Sequence, residues 1–167
     1  MACVTSDDGT QPARPVVGTT GQGYKRVAAD VLIRDEDGRV LLVDPTYKPH
    51  WDLPGGMAEA DEPPRAAAAR ELREELGLML TVGRLLAVEW VPPHGPWDDH
   101  LMFVFDGGTL PAERGAGLRP IDPELSRLEF VSLKDAAVRL RPDVWQRLQR
   151  AHTLLNTDLV DYHESNG

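Results

Sequence analysis

Cysteine, aromatic side chains and positive charge are all scarce in this chain. One cysteine, Cys3, stands among 167 residues, so neither an internal disulfide nor a cysteine-based metal site can form, as suits a reducing compartment. Aromatic residues make up 6% of the chain. Lys and Arg number 18 against 27 Asp and Glu, a formal net charge of −9 at pH 7. A surface of that sign repels nucleic acid, so no extended nucleic-acid partner is expected. No apolar run approaches the ~20 residues that span a bilayer, and no basic start leads into a hydrophobic stretch. The expectation is a cytoplasmic protein without a membrane partner. The length suits one domain with one core.

Residues 1–23 carry too few apolar groups to offset their ordering entropy and are expected to form a flexible arm. The domain is expected over 24–155 and a tail over 156–167. RVAADVLIR and RVLLVD, apolar on both faces and separated by Asp37-Gly38, predict a β-hairpin. YKPHWDLPGGM, Tyr47 to Met57, reads as a loop beside the site, because Pro54 and the Gly55-Gly56 pair break regular structure and allow close backbone approach. A helix is predicted over Arg65 to Leu76, with Pro63-Pro64 in its first turn and Gly77 at its stop. Further strands are expected over Leu80 to Trp90, Leu101 to Phe105 and Leu128 to Val131, then helices over Leu133 to Leu140 and Asp143 to Leu155. Val91 to His100, with its prolines, reads as an exposed loop.

Chemistry concentrates between Gly55 and Leu78, where six carboxylates lie in two bunches. Close carboxylates repel, so a cation belongs among them. On a helical wheel Glu71, Glu74 and Glu75 fall within an arc of about 100°, and Ala68, Ala69, Leu72 and Leu76 form a separate apolar stripe. One helix thus anchors itself and presents three acids. Oxygen donors without cysteine or a spaced histidine pair favour Mg²⁺, with Mn²⁺ as substitute, over zinc. Arg70 is placed to grip a neighbouring carboxylate and fix its rotamer. A Glu/Arg-rich helix face alone is usually only solvated.

The whole segment says more. Gly56, MAEAD, Glu62, PPRAAAA, Arg70, Glu71, Leu72, Arg73, Glu74, Glu75, Leu76, Gly77, Leu78 resembles the Nudix box at every position. Chance agreement at a given start is on the order of 10⁻¹⁰. WDLPGG before the box and LEFVSLKDA after it also look like that superfamily. The resemblance implies an α/β fold, an α/β/α sandwich with a mixed β-sheet. It implies a hydrolase of MutT-like type that cleaves the diphosphate linkage of a nucleoside diphosphate joined to a group X. Carried over by position, Glu71, Glu74 and Glu75 are the metal-binding and catalytic acids, the Gly56 carbonyl completes the shell, and Glu62 and Arg70 are supports. Glu124, counted back from Phe130, is nominated as an extra ligand or base. Asp61 stands where relatives often carry glycine. Group X is to be read outside the box, from Trp51 and Trp97 as stacking candidates, then Trp90, His94, Asp99 and His100. Asp30, in an apolar strand, is a candidate to bond substrate or a backbone amide. The alternative is a Nudix-fold nucleotide-binding or regulatory module without catalysis. A homodimer is a further expectation from the resemblance.

Overall fold

The computed structural model describes residues 23–95 and 98–165. The expected N-terminal arm through residue 22, and Trp97, therefore lie outside the described residues. The expected hairpin is present: β1 (Arg26–Arg34) and β2 (Val40–Pro45) run antiparallel, with Arg34 opposite Val40. Gly38 in the connection takes φ 76°, a left-handed conformation that favours glycine. Asp35 fastens the turn by accepting from the backbone N–H of Asp37 at 3.1 Å and of Arg39 at 2.8 Å. Ala28 to Ile33 are all buried, as an apolar run without alternation requires.

Three more strands extend the sheet: β4 (Leu85–Val91), β5 (His100–Thr109) and β6 (Leu125–Val131). β5 lies parallel to β1, whereas β4 on β5 and β6 on β2 are antiparallel, so the sheet is mixed. The expected loop at Gly55-Gly56-Met57 is a short strand, β3 (Gly55–Met57), antiparallel to β1 with Asp30 opposite Gly55. The expected tail is corrected more substantially. β7 (Asp161–Glu164) runs parallel to β4 at the sheet edge, giving the order β6-β2-β1-β5-β4-β7. Its polar sequence carries no periodic signal, and its order comes from distant partners: the β4 ladder and the Asp161–Arg150 ion pair at 3.0 Å.

Helices cover both faces. α1 (Pro64–Leu76) packs Ala67, Ala68, Leu72 and Leu76 against Ala29, Val31, Leu41 and Val43. After the six-residue α2 (Ala112–Gly117), α3 (Leu133–Arg139) and α4 (Pro142–Thr153) cover the other face, where Ala136, Val144, Leu148 and Ala151 meet Leu32, Leu42 and Val104. The architecture is the expected α/β/α sandwich. α2, with its two glycines, has no apolar stripe to announce it. Among the described residues no helix is long and apolar enough to cross a membrane.

Candidate metal and catalytic site

The acid-bearing helix is bounded as its sequence dictates. Pro63 is the N-cap at φ −64°, ψ 144°, and Pro64 occupies the first turn, where a missing N–H costs nothing. Gly77, at φ 62°, ends the helix: its N–H donates to Arg73 O at 3.0 Å and that of Leu78 to Leu72 O at 3.1 Å. Ahead of the helix, Glu62 N donates to Glu59 O at 3.2 Å across a turn whose third residue, Asp61, has φ 63°. That is a conformation glycine adopts freely and aspartate tolerates, which accounts for the departure from glycine there.

Arg70 is the hub of the helix surface. Its Nε and Nη2 each donate to Glu62 at 3.0 Å, forming a two-point fork, and Nη2 also reaches Met57 O at 2.9 Å. Its Nη1 reaches Glu71 at 3.0 Å and Glu74 at 2.8 Å. Glu62 in turn accepts from Glu59 N at 2.9 Å, so one arginine joins the turn, β3 and α1. These bonds hold the Glu62 carboxyl below its usual range, the Arg70 fork being the main cause.

Glu71 and Glu75 face inward against the two glycines. A methyl group at Gly56 would sit 2.6 Å from Glu71 Cδ, so only glycine lets that carboxylate lie there. Glu75 accepts from Gly55 N at 3.2 Å. Burial pushes Glu75 up to about 8, with the charges of Glu71, Asp30 and Asp122 adding to the rise and the Gly55 N–H opposing it. Burial also raises Glu71, against the pull of Arg70. Glu71 shares the single guanidinium of Arg70 with Glu62 and Glu74, and the oxygens of Glu71 and Glu75, with the Gly56 carbonyl, are hard donors of the kind Mg²⁺ and Mn²⁺ prefer. Among the described residues no three acidic, histidine or cysteine side chains are already drawn into a coordination shell. The residues fit a hard divalent ion in donor chemistry and charge, while Arg70 holds Glu74 and part of Glu71.

Behind the glycines lies a buried polar network that the motif does not contain. Asp30 on β1 is 5% exposed, and its Oδ2 has no hydrogen-bond partner but lies 4.0 Å from Nη1 of Arg147 on α4. Arg147 Nε donates to Glu89 on β4 at 2.7 Å; Arg150 joins the same carboxylate at 2.8 Å, and the Ser165 hydroxyl completes it. Burial raises Asp30, with the Asp52 charge adding and Arg147 opposing. Lys48 pairs with Asp52 at 2.5 Å nearby. A single acid inside each of two apolar strands, Asp30 and Glu89, is the sequence signal for this network; nothing local in the sequence sets Arg147 apart from Arg150 on the same helix.

The other candidate residues are dispersed. Trp51 is 7% exposed and belongs to the core under α3 and α4, with the guanidinium groups of Arg127 and Arg139 at 5.0 and 4.7 Å from its ring centre. A base platform needs an open ring face, so Trp51 is a packing residue. Glu124 is exposed just before β6; its carbonyl accepts from Thr46 N at 2.8 Å and its N–H is held by Asp122 at 2.7 Å. Trp90 donates to Asp99 at 3.0 Å, and His94 and His100 stand with ring centres 5.8 Å apart.

Residues 24–153 match the NUDIX domain. The chain belongs to the Nudix, MutT-like superfamily. It is 44% identical over 69 residues to diphosphoinositol polyphosphate phosphohydrolase 2 of Rattus norvegicus, a stretch covering 40% of this chain and 38% of that protein. It is 37% identical over 76 residues to a MutT-like protein of Streptomyces ambofaciens, covering 46% of this chain and 49% of the relative. The match thus spans less than half the length of either relative. Among solved structures, a MutT protein from Methanosarcina mazei Go1 superposes with a TM-score of 0.64 at 26% identity, over 78% of this chain and 99% of the other.

Proposed function

We propose that the protein is a divalent-metal-dependent pyrophosphohydrolase that cleaves the diphosphate linkage between a nucleotide-type group and a second group X. The observation that carries this is the pair of inward-facing acids, Glu71 and Glu75, raised by burial and backed by the two glycines. Glu71, Glu74, Glu75 and the Gly56 carbonyl hold the ion, Mg²⁺ or Mn²⁺. When bound, such an ion neutralises phosphate oxygens and lowers the pKa of a water. Glu71 or Glu74 accepts the proton of the attacking water as its oxygen bonds to phosphorus, and the bridging P–O bond breaks to give two phosphorylated products. Arg70 orients Glu71 and Glu74, and Glu124 stands as an additional ligand or base. With a net charge of −9, the protein draws in the substrate best as its metal complex.

The test is release of phosphorylated products from a panel of nucleoside diphosphate compounds with Mg²⁺, compared with EDTA and with Glu74→Gln. Turnover that needs the metal and drops by about 10²-fold or more in the variant supports hydrolysis at this site. Equal turnover in native protein and variant contradicts it.

A further inference from the structure

β7 is the outermost strand of the seven-stranded sheet, and among the described residues no other strand pairs with its outer side. It lies beyond residues 24–153, the part that matches the family. Its ladder with β4 sets Tyr162 opposite Val88 and His163 opposite Glu89, and Ser165 N donates to Trp90 O at 3.0 Å. Backbone bonding alternates along a strand, so Asp161, His163 and Ser165 direct their N–H and C=O groups to β4, while Tyr162 and Glu164 direct theirs outward. A row of such unpaired groups is a template for another strand, and proteins that avoid pairing blunt the edge with lysine, proline or a covering element. Residues 158–165, DLVDYHES, contain neither lysine nor proline. The opposite edge, β6, is bordered by α2: a methyl group at Gly115 would lie 3.2 Å from the Phe130 ring.

The side chains at this edge match the open backbone. Phe103, Val88 and Tyr162 stand opposite one another on β5, β4 and β7, forming an apolar row across the sheet. Glu89 is turned toward Arg147 of α4, so the row lies on the other face, that of α1. Tyr162 ends the row at 62% exposed, with Leu159 and Val160 also exposed just before it. We infer that β7 pairs antiparallel with β7 of a second copy of this chain, about a two-fold axis at Tyr162. That register sets Tyr162 against its counterpart, continuing the row as an aromatic cross-strand pair, and sets Asp161 of each copy opposite His163 of the other. An axis at Asp161 brings two carboxylates face to face, and one at His163 sets Tyr162 against Glu164 and breaks the row. A second copy is the occupant selected, because only a two-fold partner presents the same edge, ring and complementary charges at matching places.

The experiment is sedimentation velocity of the full chain between about 1 and about 200 μM. Each copy carries a net charge of −9, so the salt is held at about 0.15 M, where charges more than roughly 8 Å apart are screened. The native chain should pass from monomer to dimer with a dissociation constant on the order of 10 μM, as suits a small contact. Tyr162→Lys and Tyr162→Glu, at an exposed position, should each weaken association at least about tenfold. An equimolar mixture of the two should recover it, because the axis brings these side chains together. Amide hydrogen exchange of the native chain gives a readout that needs no variant and decides alone if a variant unfolds. The N–H groups of Tyr162 and Glu164 should exchange at least about threefold more slowly at about 200 μM than at about 1 μM. A monomer at every concentration, a dimer that Tyr162→Lys leaves unchanged, or a mixture no tighter than either variant overturns the proposal. Full protection of those two groups already at about 1 μM means that another segment covers the edge, and also overturns it. None of these readouts uses turnover, so they stand apart from the hydrolase reading.

Discussion

Gly55 and Gly56 are neighbours that exclude a side chain for different reasons, and substitution separates them. At Gly55 the backbone has φ 145°, and an added methyl would run into the Ala29 carbonyl oxygen and lie 2.7 Å from Asp30 Cα. Gly55→Ala should therefore destabilise the fold by more than about 2 kcal/mol, read from urea unfolding. At Gly56 the three atoms nearest the methyl would all belong to the Glu71 carboxylate, the closest at 2.6 Å. Gly56→Ala should keep the native unfolding midpoint to within about 1 kcal/mol yet lose about 10²-fold in turnover, because the carboxylate is displaced. Glu75 supplies a second prediction. Its proton leaves near the ordinary 4.5 in the unfolded chain and near about 8 in the folded one, so the folded state binds more protons between those values. Its stabilising contribution is complete below about 4.5 and is lost as pH climbs through about 8; Asp30, also raised by burial, acts in the same direction. Without divalent metal, Tm should fall between about pH 5 and about pH 8; Mg²⁺ or Mn²⁺ should raise Tm more at the upper end, and Glu75→Gln should flatten the profile. A flat native profile contradicts the buried acid.

α4 reaches the back of the Gly55-Gly56 strand although no motif marks it, since Arg147 lies 4.0 Å from Asp30, which faces Gly55 across the sheet. Arg147 is buried between Glu89 and Asp30, so Arg147→Met leaves Asp30 without its counter-charge and Glu89 with Arg150 alone, and should cost about 3 kcal/mol in urea unfolding. Adding Glu89→Gln should recover part of that loss, since one of the stranded charges is removed; simple additivity of the two substitutions contradicts the network. These elements also mark how far the sequence could be read. α1 was legible to within a residue, because prolines at one end, glycine at the other and an apolar stripe all agree. The hairpin was legible from Asp37-Gly38. β3 and β7 were not, because a three-residue pairing and a polar edge strand are held by partners distant in the chain, leaving no local period. Trp51 was misread for a related reason: tryptophan serves equally in cores and in binding platforms, and only the packing of Arg127 and Arg139 on its ring distinguishes them here.

The molecule carries nine excess negative charges and still gathers buried acids at one place. Arg70 and Arg147 offset this from opposite sides of the sheet, one at the surface of α1 and the other under α4. The spacing of Glu71, Glu74 and Glu75 was legible because a helix converts sequence intervals directly into positions on a face. The rise in the pKa of Glu75 was not, because it depends on depth and on Asp30 and Asp122 brought in from elsewhere. Whether the α1 acids form a site for a hard divalent cation is read by Mn²⁺ binding followed by electron paramagnetic resonance at about pH 7.5. Native protein should take up Mn²⁺ at least about tenfold more tightly than the variant carrying both Glu71→Gln and Glu75→Gln. Equal uptake by the two contradicts a site there.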